Sequence, residues 1–254
     1  LPPTKAINDQ THAFPTDTLN VDNDPSLLVY YDFNGTLNDQ KDNYSDGRYN
    51  LIAANGATIN YTDSHFASNQ AAYFDASNGY AYNDNMSDAN ESNLFASGNF
   101  TISLWFYADD DMPNFSSLMS SRYVPDTGND SGNWSWQLDS DNGKLRWRSA
   151  VGTGNNKHTT ASNNYPTNTW SHAAFVKYDN GTSMIYMNGS HEVTSANTQE
   201  TPLEVLKIGT NRREALPWKG YIDEFKIYSR ALDSTDVCDL FKNDDPLNDG
   251  ATCP

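Results

Sequence analysis

The run Phe100-Thr-Ile-Ser-Leu-Trp-Phe-Tyr107 alternates with period two, so an extended chain carries Phe100, Ile102, Leu104 and Phe106 on one face and Trp105 with Tyr107 on the other. A strand with large side chains on both faces needs cover on both sides, which predicts a central strand of a two-sheet sandwich. Short aromatic and β-branched runs recur on either side of it, at Leu27–Phe33, Ala71–Asp75, Trp134–Leu138, Lys144–Ser149, Ser171–Tyr178, Ser183–Met187, Val205–Gly209 and Gly220–Tyr228, each bounded by Asn, Asp, Gly or Ser. Two hairpins are explicit, because Asp141-Asn142-Gly143 and Asp179-Asn180-Gly181 each separate two such runs and Asn-Gly supplies the positive φ of a tight turn.

One helix is expected, over Ser234–Lys242, with Ser234 as its cap and Val237, Leu240 and Phe241 on one face. Residues 1–25 are rich in Pro, Thr, Asn and Asp without periodicity and read as a linker or extended arm. A single all-β domain is expected over residues 26–242, followed by a tail over residues 243–254. Cys238 and Cys253, the only cysteines, are too few for a four-ligand zinc site and suit one disulfide closing that tail, worth roughly 3 kcal/mol in loop entropy. A bridge of this kind implies an oxidising, secreted or cell-surface setting. The start, Leu1-Pro2-Pro3, lacks a charged region followed by an apolar core, as expected of a mature or excised segment, and no run approaches a membrane-spanning length.

The formal charge of −17 argues against nucleic acid or an anionic membrane as partner. Of the 33 acidic residues 27 are Asp and six are Glu, a bias toward turns, caps and loop-borne calcium sites. The same bias also suits a solvating surface.

Several segments, in order, resemble the laminin-G-like jelly roll of the concanavalin A-like superfamily. Tyr31-Asp32-Phe33-Asn34-Gly35-Thr36-Leu37-Asn38-Asp39 is similar to its opening strand and loop, and Ala72-Tyr73-Phe74-Asp75 to the strand that follows. Asn99–Trp105 is similar to its "FTISxW" segment, and Trp170-Ser-His-Ala-Ala174 with Ile185-Tyr-Met-Asn-Gly189 to "WxHxA…xYxNG". Ile208-Gly209 and Gly220–Leu232 are similar to its closing "IG…GxIDexxIYxRAL". The resemblance implies an antiparallel two-sheet jelly roll whose first and last strands lie side by side. A fold shared by lectins, adhesion modules, glycosidases and lyases does not itself name an activity.

Two candidate sites follow. Asp32, Asn34, Asp39 and Asp42 near the start and Asp223 in the closing strand offer the oxygen ligands calcium takes, and adjacent end strands would let Asp39 and Asp223 meet as a structural staple. Alternatively, Asp32 and Asn34 cap a turn and Asp223 pairs with Lys226 or Arg230. Asp109-Asp110-Asp111 reads as a solvated strand end, and Asp139–Gly143 as a hairpin turn rather than a calcium loop.

The second site is a glycan site, since sugars need aromatic platforms beside planar polar groups. Lys144, Arg146 and Arg148 share one strand face, and Arg122, Arg212, Trp134 and Trp218 lie in neighbouring segments. They are expected to face an acidic or hydroxyl-rich polysaccharide, with Trp134 or Trp218 beneath it. The alternative is that the arginines pair with surface Asp residues, and Trp105, Trp136, Trp147 and Trp170 are expected in the core.

Catalytic patterns are weak. The six Glu residues are scattered, Asp223 and Glu224 should point to opposite faces of a strand, and no nucleophile elbow, zinc-protease or phosphate-loop motif occurs. A lyase-type set of His158, Tyr165 and Arg148 is the remaining catalytic candidate, and an adhesion module recognising a protein surface is the alternative to a glycan-binding one. The expected function is non-catalytic, lectin-like carbohydrate binding within a secreted or surface protein.

Overall fold

A computed structural model describes residues 24–41, 45–54, 60–63, 70–77, 79–86, 98–122, 135–150, 156–196, 205–243 and 253. Two antiparallel sheets face each other in a jelly-roll sandwich. In chain order the strands are β1 (Leu27–Tyr31), β2 (Ile52–Ala54), β3 (Asn60–Asp63), β4 (Gln70–Asp75), β5 (Tyr80–Asn83), β6 (Phe100–Ala108), β7 (Ser117–Arg122) and β8 (Ser135–Asp141). The second half holds β9 (Lys144–Ala150), β10 (Asn156–Thr160), β11 (Trp170–Lys177), β12 (Ser183–Met187), β13 (Ser190–Ser195), β14 (Val205–Ile208), β15 (Lys219–Tyr228) and the helix α1 (Ser234–Asn243). One sheet runs β13-β12-β11-β6-β15-β4-β3 with β1 also on β15, and the other runs β10-β9-β8-β7-β14-β5-β2.

Period-two alternation builds the interior. Phe100, Ile102, Leu104 and Phe106 of β6 point inward, each at most 1% exposed, and meet Trp136, Leu138, Leu145 and Trp147 of the facing sheet. Trp147 stacks on Phe175 of β11 at 3.4 Å and on Trp136 at 4.8 Å, so an aromatic column joins the layers.

The first and last strands pair, as expected, with Tyr31 opposite Phe225. Both predicted turns form. Asn142 and Gly143 take φ of 52° and 77° between β8 and β9, and Gly181 takes 84° between β11 and β12. The helix differs from expectation at its start: Asp233, not Ser234, is the cap, with Oδ1 accepting from the backbone N–H of Thr235 and Asp236 at 2.9 Å. Asp236 Oδ2 in turn accepts from the Asp233 N–H at 3.1 Å, a reciprocal capping box.

Helix α1 lies on the outer face of the eight-stranded sheet, where Val237 and Leu240 pack with Leu27, Val176, Tyr186 and Tyr228. The Cys238–Cys253 disulfide is present, and Cys253 Sγ with Phe241 crowds Gly189, tying the tail to the β12–β13 turn.

Candidate functional site on the seven-stranded sheet

Direct cross-strand pairing puts one row of residues on the outer face of the seven-stranded sheet: His158 (β10), Arg148 (β9), Gln137 (β8), Ser120 (β7), Lys207 (β14), Tyr82 (β5) and Ile52 (β2). A second, shorter row pairs Thr160, Arg146 and Asp139. The inward residues between them, Trp136, Leu138, Leu145 and Trp147, carry the core, so polar side chains alternate to this surface because their neighbours cannot leave the interior.

Arg146 is held rigidly. Its Nε and Nη2 donate to the two carboxylate oxygens of Asp139 at 2.8 and 2.9 Å, and Nη1 donates to Asp141 at 3.1 Å. Asp139 also accepts from the side-chain amide of Gln137. Burial pushes the Asp139 carboxyl up, while Arg146 pulls it down.

Arg148 is different. Its Nε is buried and has no hydrogen-bond partner, and burial together with the charges of Arg212 and Arg146 holds its guanidinium below the usual arginine range. His158 is depressed by burial first and by Arg146 and Arg148 next, against the opposing charges of Asp139 and Asp141.

Phe115 completes this surface. It is 39% exposed and lies 5.0 Å from the guanidinium of Arg146. Its φ is 65°, a left-handed conformation unfavourable for a bulky residue, held by its N–H donating to the Ser140 carbonyl at 3.0 Å. Sequence periodicity missed Phe115 because it sits in the β6–β7 loop, outside any strand pattern.

The sequence-predicted ligand residues separate. Arg146, Arg148 and Arg212 come together. Trp218 does not join them: it is fully buried, edge-on to Phe106, and donates Nε1 to the Tyr107 carbonyl at 3.3 Å, which corrects its expected role as a platform. Trp134 and the side chain of Arg122 lie outside the described residues. Lys144 donates to the Ser162 carbonyl at 2.7 Å. The set His158, Tyr165 and Arg148 is not assembled, because Tyr165 is in the core, edge-on to Phe106 and donating to Ser140 Oγ at 2.7 Å, on the opposite side of the sheet from exposed His158.

At the β1–β15 seam the acidic residues cap backbone. Asp39 Oδ1 accepts from the N–H of Tyr30 at 2.8 Å and of Lys41 at 3.0 Å. Asp32 accepts from Asn34 N at 3.2 Å, Asn34 Nδ2 at 3.1 Å and Gln40 at 3.0 Å. Asp223 Oδ1 accepts from the Glu224 N–H at 2.9 Å, and Asp42 lies outside the described residues. Among the described residues no three His, Cys, Asp or Glu side chains gather where they could hold a metal. Arg230 pairs with Asp24 and Asp236, and Lys226 with Glu224 at 3.1 Å.

Asp223 and Glu224 do not point to opposite faces. A bulge lies between Asp223 and Lys226, Glu224 takes a φ of 49°, and two residues stand between inward Ile222 and inward Phe225. Glu224 accepts from the Tyr30 hydroxyl at 2.6 Å, and both carboxylates are buried away from solvent.

The family model described as the concanavalin A-like lectin/glucanases superfamily matches residues 75–238, more than half of the chain. Among solved structures, domain 4 of AbnA, a GH43 extracellular arabinanase from Geobacillus stearothermophilus in complex with arabinotriose, is 22% identical. It superposes with a TM-score of 0.66 over 85% of this chain and 98% of that one. The receptor-binding domain of botulinum neurotoxin mosaic serotype C/D is 15% identical with a TM-score of 0.61, covering 86% of this chain and 51% of that one. The binding domain of Paraclostridial Mosquitocidal Protein 1 is 16% identical with a TM-score of 0.62, over 86% and 52%. This chain therefore spans about half the length of the two toxin domains. No curated protein sequence matches. The ordered motifs, the two-sheet topology and the matched family model agree that this chain belongs to the concanavalin A-like lectin/glucanase superfamily.

Proposed function

We propose that this domain is a non-catalytic carbohydrate-binding module of an extracellular protein, which takes an acidic glycan on the outer face of its seven-stranded sheet. One observation carries the reading: Arg148 keeps a buried Nε without a hydrogen-bond partner beside Arg212 and Arg146. Leaving a buried donor unmade costs on the order of 1–3 kcal/mol, and a carboxylate or sulfate oxygen would recover that cost as a charge-assisted bond. Phe115 supplies an apolar ring next to the cations, the mixture that sugar recognition uses. The arabinotriose complex of the arabinanase domain supports a saccharide as the ligand class. The Cys238–Cys253 bridge supports an extracellular setting, and no described helix is long and apolar enough to cross a membrane.

The test is a glycan array of acidic and neutral polysaccharides, followed by reducing-end and unsaturated-product assays on every binder. Binding to polyuronate or sulfated chains that Arg148→Ala weakens at least tenfold, without new chain ends, is the expected result. Turnover would overturn the non-catalytic part. Binding to a partner protein that survives its complete deglycosylation would replace the glycan with an adhesion surface.

A further inference from the structure

The opposite sheet carries a second aromatic surface that the site above does not use. Tyr73 (β4), Tyr221 (β15), Tyr107 (β6) and Trp170 (β11) are direct cross-strand partners on four adjacent strands, all on the outer face of the eight-stranded sheet. Their ring centroids lie 4.7 Å apart for Tyr73–Tyr221, 5.6 Å for Tyr221–Tyr107 and 5.9 Å for Tyr107–Trp170. Each ring is partly exposed. Trp170 was expected in the core, yet it is on this outer face, whereas Trp136, Trp147 and Trp218 fill the interior.

The row has sharp borders. On one side the next row, Asp223, Trp105 and His172, is buried, with Phe241 of α1 stacked on Trp105 at 5.6 Å and 6.0 Å from the ring of His172. On the other side the row turns charged, with Asp75 opposite Lys219, Lys219 bound to Asp111, and Asp109 accepting from the Tyr73 hydroxyl at 3.0 Å. The aromatic strip is thus one residue wide and four strands long, on the order of 14 Å at ~4.8 Å per strand. It is too narrow for a specific protein interface, which needs about 800 Å² per partner. Its length instead suits a few rings of an extended chain, stacked in series.

Gly220 makes the strip possible. A Cβ there would strike the Tyr107 carbonyl, so only glycine, at φ 133°, lets β15 close on β6 and bring Tyr221 beside Tyr107.

We infer that this strip binds a neutral, hydroxyl-rich saccharide, its rings stacked on Tyr73, Tyr221, Tyr107 and Trp170 and its hydroxyls donating to the carboxylates of Asp75 and Asp109. Charge selects against uronates and sulfates here, since Asp75, Asp109, Asp110 and Asp111 border the strip on a chain of net charge −17. The two sheets therefore face saccharides of opposite character.

The test titrates the 254-residue chain with linear neutral hexasaccharides of β-1,4-glucan, β-1,4-xylan and β-1,4-mannan by calorimetry, with polygalacturonate as the acidic probe. At least one neutral hexasaccharide should bind, with Trp170→Ala and Tyr73→Leu each lowering its affinity roughly tenfold or more, the scale of an aromatic hot spot. Melting temperature checks that each variant is folded. Trp170→Phe should keep most of the affinity while removing the saccharide-induced change in tryptophan emission, because the other described indoles are buried. Arg148→Ala should leave neutral binding unchanged and weaken polygalacturonate alone, so this strip and the arginine face fail independently. No binding of any neutral hexasaccharide, or undiminished affinity in folded Trp170→Ala, would overturn the inference.

Discussion

Phe115 presents its ring 5.0 Å from the Arg146 guanidinium while its own backbone sits at φ 65°. The left-handed conformation costs a non-glycine residue on the order of 1–2 kcal/mol, and the side chain is too exposed to recover all of it by packing. Phe115→Gly removes that strain but adds about 0.5–1 kcal/mol of unfolded-state entropy and loses the buried part of the ring. The melting temperature should therefore stay within a few degrees of the parent, while affinity for an acidic glycan falls about tenfold. Scanning calorimetry and titration on the same samples separate the two; a large loss of stability would make Phe115 a packing residue instead.

Arg146 and Arg148 lie two residues apart on β9 and should respond oppositely to truncation. Arg146→Ala strands Asp139, whose side chain is fully buried, and removing one partner of such a pair costs about 3–5 kcal/mol. Arg148→Ala removes a cation whose Nε already lacks a partner, so unfolding free energy should change by less than about 1 kcal/mol while acidic-glycan binding is lost. Urea denaturation of both variants checks the contrast.

Most of the fold was readable along the chain because strand alternation and Asn-Gly turns are local signals, as at Phe100–Phe106 and Asn142-Gly143. Short strands with polar composition, such as Ser190–Ser195 and Asn156–Thr160, escaped because their partners supply the pattern. The site was half legible. Arg146 and Arg148 sharing one sheet face follows from period two and pairing, but Trp218 and Trp170 exchanged expected environments, since which face of a sheet is covered depends on the other sheet and on α1. The Glu224 bulge, which turns both acidic residues of the pair to one side, breaks alternation and leaves no local trace.

His172 makes folding sensitive to acid. It is fully buried under the helix, bonded to Ser103 at 2.8 Å, and burial with the nearby charge of Lys226 lowers it to about 3. Between about pH 6.5, where an unfolded histidine titrates, and about pH 3, the unfolded state binds a proton that the native state does not. Stability should fall with pH across that window by up to several kcal/mol from this residue alone. Melting temperature measured from pH 3 to 8 should show a shallower acid slope in His172→Gln than in the parent; equal slopes would remove His172 as the cause.

The disulfide joins Cys238, in the middle of α1, to Cys253 of the tail, whose sulfur lies against Gly189 in the β12–β13 turn. Closing a loop of about 15 residues is worth roughly 3 kcal/mol, so Cys253→Ser should lower the melting temperature by several degrees. Because α1 covers Trp105 and His172, loosening it should also quicken amide exchange at β6 and β11 more than in the seven-stranded sheet. Hydrogen exchange with mass spectrometry resolves that difference; uniform exchange would place the bridge's effect elsewhere.

Asp39 decides between a backbone cap and a calcium ligand at the seam. One of its oxygens takes the N–H groups of Tyr30 and Lys41, and the Asp39 N–H in turn donates to Asn50 Oδ1 at 2.8 Å, which locks the loop after β1 against the chain entering β2. Losing the carboxylate leaves two amide donors unmade at a site that is 5% exposed, a cost of about 2–4 kcal/mol at one to two per donor. As a cap, Asp39 contributes without metal, so Asp39→Ala should lower the unfolding free energy by the same amount in EDTA as in millimolar calcium, and EDTA should not move the parent's melting temperature. As a ligand, it would make the parent lose stability in EDTA and make Asp39→Ala indifferent to calcium. Melting curves of the two proteins in the two buffers distinguish these outcomes, and elemental analysis of the purified chain provides an independent reading.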